Sequence, residues 1–214
     1  MMRALLLLLA VSGHAEDLAA GKFLVAHRDL PDPNFAQTVV LLLHYDEEGA
    51  MGLIVNRQTK LPISRALKPL KDAQTRSDTV FAGGPVDRTT IQALLRSLTK
   101  VDEGDHIFAD IYSISSERLL EKALHAGTGA SAFRVYLGYS GWGPGQLENE
   151  VEAGGWWVFP ADPKNVFDAH PETLWTRLIE KTELQIASKE RSSAPPNFVR
   201  INIRTRNWLF ASSR

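Results

Sequence analysis

Ser140 stands in Gly138-Tyr139-Ser140-Gly141-Trp142, between an apolar run and a candidate helix, which is where a hydrolase places a nucleophilic serine. The nucleophile elbow is Gly-x-Ser-x-Gly, and its last glycine lets the sharp turn close on the helix; here Trp142 fills that place. Only one histidine follows, His170, and it precedes Pro171 at a candidate helix start, where a capping or solvent-facing role is ordinary. A serine hydrolase using Ser140 and His170 is therefore an alternative reading, and the pattern does not favour an enzyme.

Binding chemistry has more to work with. Gly141-Trp142-Gly143-Pro144-Gly145 leads into a helix whose first amides could face an anion. Glu148, Glu150 and Glu152 follow, and acids there satisfy the helix dipole and repel phosphate. No Walker lysine follows either glycine cluster, so neither a nucleotide nor another cofactor is indicated. His27, Asp29, Asp32, His44, Asp46 and Glu47 lie at no metal-ligand spacing, and with no cysteine and no H-E-x-x-H no metal site is expected. Asn56 and Arg57 end an apolar strand, where they either contact a ligand or cap the strand. With Asn34, Trp142, Gln146 and Glu148 they make up the ligand or partner candidates.

All five tryptophans lie after residue 140. Trp156 and Trp157 are adjacent on a strand and point to opposite faces, so either both faces are covered or one indole lies at a docking surface. Arg200, Arg204 and Arg206 share a face of a candidate final strand over 199–205. No aromatic platform alternates with them, so a solvated face is expected and no nucleic-acid partner is favoured. DNA-linked regulation is kept as a second alternative.

The elements that must position these residues follow from apolar periodicity. Strands are expected at Lys22–His27, Thr38–His44, Met51–Asn56, Thr79–Ala82, Thr89–Leu98, Ile107–Ile114, Phe133–Tyr139 and Trp156–Phe159. Asp46-Glu47-Glu48-Gly49 joins the second and third as a β-hairpin, with Gly49 in a left-handed conformation. Pro62 opens a short helix through Leu67, followed by a polar loop over 68–78. Ser116 caps a helix that Gly127 stops, a helix runs from Gly145 to Val151, and another follows His170-Pro171 to Lys181, with Leu174, Trp175 and Leu178 on one stripe. Residues 187–197, rich in serine and proline, read as a loop. Hairpins mixed with single helices indicate α+β.

The chain has 214 residues with net charge −1, 44% apolar and 23% charged residues, which excludes disordered, collagen-like and polytopic membrane classes. Residues 1–15 carry a basic start, a leucine run and small residues before Glu16, the pattern of a signal peptide. The eight apolar residues would rise about 12 Å as a helix, against about 30 Å of bilayer core, so no permanent membrane anchor is expected. Residues 16–214 form one domain, exported and periplasmic if the leader is cleaved.

Phe23-Leu24-Val25-Ala26 with Asp32-Pro33-Asn34-Phe35, the run Gly49 to Arg57, Gly83-Gly84-Pro85-Val86, and Leu137 to Trp142 with Gly145-Gln146-Leu147-Glu148 resemble the AlgH/YqgE family, in order, over about 22–182. The resemblance implies a single α+β domain with a bifurcated mixed sheet that includes a small closed barrel, surrounded by helices. It implies a cytoplasmic address, which the leader contradicts, and it brings no established activity. The family also accepts alanine at the Ser140 position, which a nucleophile could not be. The expectation is a binding or regulatory interaction protein with a protein or small-molecule partner.

Overall fold

The computed structural model describes residues 18–193. Lys22–Ala26 (β1) and Val39–Asp46 (β2) pair antiparallel, and β2 returns through Glu47-Glu48 into Gly49–Ile54 (β3). Leu41 and Leu42, adjacent in β2, are both fully buried, as a strand covered on both faces requires. Asp46 lies opposite Gly49, and its Oδ1 accepts the Glu48 amide at 2.8 Å. Gly49 has φ of 134°, well beyond the tight left-handed value expected for it. A Cβ there would lie 2.3 Å from the Trp142 carbonyl oxygen, so close approach of another strand also demands glycine.

Gln58–Pro62 (β4), a short helix Ile63–Ala66 (α1), a 3-10 turn Lys71–Ala73 and Thr79–Ala82 (β5) follow. Pro62 lies one residue before α1 instead of at its first position, and the segment expected as a polar loop buries Leu70 and Ala73. Val86–Arg96 (β6) is extended because it is paired on both sides, which overrides the helical preference of Ala93-Leu94-Leu95-Arg96. The single strand expected over Ile107–Ile114 is a hairpin of Asp105–Phe108 (β7) and Ile111–Ile114 (β8), turned where Ala109 takes φ of 47°. Ser116 caps Glu117–His125 (α2) by accepting the Leu119 amide at 3.4 Å, and Gly127 ends it with φ of 67°.

Phe133–Trp142 (β9) is the strand that the two halves of the sheet share. Phe81 and Ala82 of β5 pair parallel with Tyr136 and Leu137, while Gly52, Met51 and Ala50 of β3 pair antiparallel with Ser140, Gly141 and Trp142. The opposite edge of β9 is taken by β6. The chain continues through Gln146–Glu152 (α3), Trp156–Pro160 (β10), Pro163–Val166 (α4), a 3-10 turn Pro171–Thr173 and Leu174–Ser193 (α5). The sheet order is β10-β1-β2-β3-β9-β6-β8-β7, with β4 and β5 branching off at β9. Two expectations are corrected here. Ser140, Gly141 and Trp142 belong to a strand and not to a glycine-rich turn, because β3 supplies them with partners. Residues 187–193 continue α5 and are not loop.

The mixed sheet is bifurcated and curls into a half-barrel flanked by helices, an α+β single domain. One core gathers Leu24, Leu41, Tyr136 and Trp156 under Leu174, Trp175 and Ile179 of α5; the other gathers Ala93, Phe133 and Val135 under α1 and α2. Trp175 joins the two layers by donating its indole N–H to the Ala26 carbonyl at 2.8 Å. Among the described residues no helix is long and apolar enough to cross a membrane. The leader, the strand expected over 199–205 and its arginines lie outside the described residues.

Candidate functional site

The chain leaves β3 through Asn56 and Arg57, and both reach back to the loop before β2. Asn56 is 9% exposed; its Oδ1 accepts the Val39 amide at 2.8 Å and its Nδ2 donates to the Gln37 carbonyl at 3.0 Å. It therefore fixes the loop. Arg57 is half-buried and donates from Nη1 to the Asn34 carbonyl at 2.8 Å and from Nη2 to the Ala36 carbonyl at 3.4 Å. The Asn34 amide is in turn held by Asp32 Oδ1 at 2.8 Å. Burial pulls the Arg57 guanidinium below its ordinary pKa.

Asn34 and Arg57 line a cleft of about 360 Å³ whose other walls include Thr59, Gly84, Arg88 and Leu137. A Cβ on Gly84 would lie 2.1 Å from the Tyr139 carbonyl group, and one on Gly83 2.3 Å from the Gly138 oxygen, so the β5–β6 junction is pressed onto β9. The cleft holds two arginines and no carboxylate. Among the described residues neither arginine has an acid within ion-pair distance. Guanidinium groups in that setting suit a carboxylate or phosphate. The Thr59 hydroxyl donates to the Val80 carbonyl at 2.7 Å, so it is committed to the backbone.

Trp142, Gln146 and Glu148 come together elsewhere. Trp142 is 5% exposed and stacks on Phe35 with centroids 5.6 Å apart, so its indole is no surface platform. Its indole N–H and that of Trp156 are donated to Glu150 Oε2, and Gln146 Nε2 donates to Oε1 at 3.0 Å. Glu148 accepts the Tyr45 hydroxyl at 2.7 Å, a bond that raises the phenol pKa to about 12. Trp156 is buried while Trp157 is half-buried, its indole nitrogen without a hydrogen-bond partner among the described residues.

Ser140 and His170 do not meet. Ser140 is fully buried in β9 and donates to the Gly83 carbonyl at 3.2 Å, whereas the His170 side chain is 78% exposed and lies 3.6 Å from Glu172. Pairing with β3 leaves no strand-to-helix elbow at the serine. Among the described residues no cluster of three metal-binding side chains occurs.

Glu150 and Arg88 were not among the ligand or partner candidates. Glu150 is four residues after Gln146, a spacing that faces the two on a helix, and the tryptophans on either side needed acceptors. Arg88 carries no comparable signal, since the chain reversal at Gly83-Gly84 is what brings it beside Arg57.

A half-barrel branching from one shared strand defines the fold class. The chain belongs to the AlgH-like family, DUF179, which matches residues 23–187. It is 36% identical over 176 residues to a UPF0301 protein of Streptomyces avermitilis, covering 78% of this chain and 88% of that one. A UPF0301 protein of Methylococcus capsulatus is 31% identical over 189 residues, covering 81% and 96%. The solution structure of the AlgH protein from Pseudomonas aeruginosa matches with TM-score 0.63 and 28% identity over 92% of this chain and 100% of that one. A crystal structure from Corynebacterium diphtheriae shares the fold, with TM-score 0.65 at 21% identity over 77% and 87%.

Proposed function

We propose that this protein is a non-enzymatic binding protein, regulatory in role, that holds the carboxylate or phosphate of a small molecule between Arg57 and Arg88. The observation that carries the reading is a cleft with two arginines and no acid. Arg57 is pre-positioned by the Asn34 and Ala36 carbonyls, which lowers the ordering cost of binding. Hydrolysis has no aligned nucleophile and base to support it. With its leader removed before Glu16 the protein acts in the periplasm; with the leader retained it acts in the cytoplasm.

Titration with inorganic phosphate and with acetate, followed by backbone amide shifts, tests the site. Saturable shifts at Arg57, Gly84 and Arg88 that weaken about tenfold in Arg88→Ala support it, the loss expected of one charge-assisted hydrogen bond. Shifts that ignore this cleft overturn it. N-terminal sequencing of the mature protein decides the address.

A further inference from the structure

A second cavity, of about 250 Å³, opens on the other face of the β4–β5 ribbon. Gln58 and Phe81 line this one, while their neighbours Thr59 and Ala82 line the first, as alternation along a strand requires. Its walls are mostly aromatic and apolar: Phe81, Phe133, Phe167, Ala169 and Pro171, with Arg134 among them.

Three arginines lie around this cavity, and two have carboxylates. Arg76 pairs with Asp78 at 2.6 Å, and Arg177 pairs with Asp168, whose other oxygen accepts the His170 amide at 2.9 Å. Asp78, itself in the cavity wall, and Asp168 behind it are thereby neutralised by their own arginines. Arg134, only 7% exposed, has none. Its guanidinium lies 4.8 Å from the Phe81 ring centroid and 5.5 Å from that of Phe167. Nη1 donates to the Val166 carbonyl at 2.9 Å and Nη2 to the Asp168 carbonyl, which caps the end of α4. A guanidinium has five N–H donors, and capping uses two of them. The Tyr136 hydroxyl, fully buried, lies close enough to Arg134 for the guanidinium to offset part of the rise that burial gives its pKa.

A guanidinium at this depth with no carboxylate in ion-pair contact among the described residues is costly, and neither carbonyls nor ring faces neutralise it. We propose that this cavity is a second ligand site, which takes a monocarboxylate carried on an apolar or aromatic body, with the carboxylate on Arg134 and the body against Phe81, Phe133 and Phe167. The size fits: an apolar cavity of about 150 Å³ already holds benzene. A phosphate, more strongly hydrated and doubly charged, would have to shed water against phenyl rings.

The test uses the full chain with benzoate and its neutral isostere benzamide, read by calorimetry and backbone amide shifts. Benzoate binding saturably at a single site, with shifts at Phe133 and Arg134 and with benzamide at least about tenfold weaker, supports the proposal. Because Arg134→Gln risks the fold, Ala169→Phe is the second variant; Ala169 is exposed at the mouth, and filling it weakens benzoate about tenfold while the phosphate response at Arg88 stays unchanged. Equal affinity for benzoate and benzamide, no saturable binding, or benzoate shifts confined to Gly84 and Arg88 overturns it.

Discussion

Trp142 and Trp156 donate their indole N–H groups to the same oxygen, Glu150 Oε2, at 3.0 and 2.9 Å. Their rings meet edge to face with centroids 6.1 Å apart, and Phe35 contacts both. One carboxylate thus ties the end of β9 to β10 through a helix residue that belongs to neither strand.

Removing that carboxylate leaves two nearly buried indole donors without partners. Glu150→Ala is expected to cost about 1–3 kcal/mol for each orphaned N–H, read as a lower urea midpoint followed by tryptophan fluorescence. Glu150→Gln keeps one carbonyl oxygen and recovers part of the loss. An unchanged midpoint in Glu150→Ala would show that the shared oxygen contributes nothing to stability.

Gly84→Ala places a methyl group within 2.1 Å of the Tyr139 backbone, which cannot withdraw without breaking the β6–β9 ladder. The expected loss is at least about 1–3 kcal/mol, the ordinary range for overpacking. Gly129→Ala, with nothing within 4 Å of the added carbon, is the matched control and stays near wild type. Equal thermal midpoints for the two variants would refute the close crossing.

Tyr45 ionises late because its hydroxyl donates to the Glu148 carboxylate, with burial adding to the effect. The folded pKa of about 12 lies above the ordinary 10.0, so the stabilisation from this bond is complete below pH 10 and is lost as pH rises toward 12. Phenolate absorbance in an alkaline titration should show a component near 12 that Tyr45→Phe removes. Burial also raises the Tyr136 phenol, an effect that Arg134 only partly offsets.

Ser140→Ala removes one buried hydroxyl that donates to Gly83, at an expected cost of about 0.5–1.5 kcal/mol. Background turnover of an activated ester should be the same in the variant and the wild type. A drop to the uncatalysed rate in a folded Ser140→Ala would return the serine to a catalytic role.

Much of this architecture was legible where local and tertiary preferences agree. Thr79–Ala82, the Ser116 cap and the Thr38–His44 run all behave as their residues dictate, because apolar runs and capping side chains act within a few positions. The hairpin of β7 and β8 was not visible, since its turn uses Ala109 at positive φ where glycine or asparagine would have marked it. Ser140 to Trp142 read as a turn because glycine weakens a strand locally, and only pairing with β3 holds them extended. Asn34 and Arg57, both candidates, line the cleft, whereas Arg88, which lines it too, arrives there through a chain reversal. Arg134 passed unnoticed inside Phe133–Tyr139; a lone charge in a buried run was the signal.

Lys22 of β1 pairs with Pro160 of β10, so the first described strand rests against the last. Until Trp156–Pro160 has emerged from the ribosome, one edge of β1 stays bare, and the sheet cannot be completed from the N-terminal side. Non-local pairing of this kind slows folding. The seam at this edge of the sheet therefore closes only after every other described strand has been synthesised.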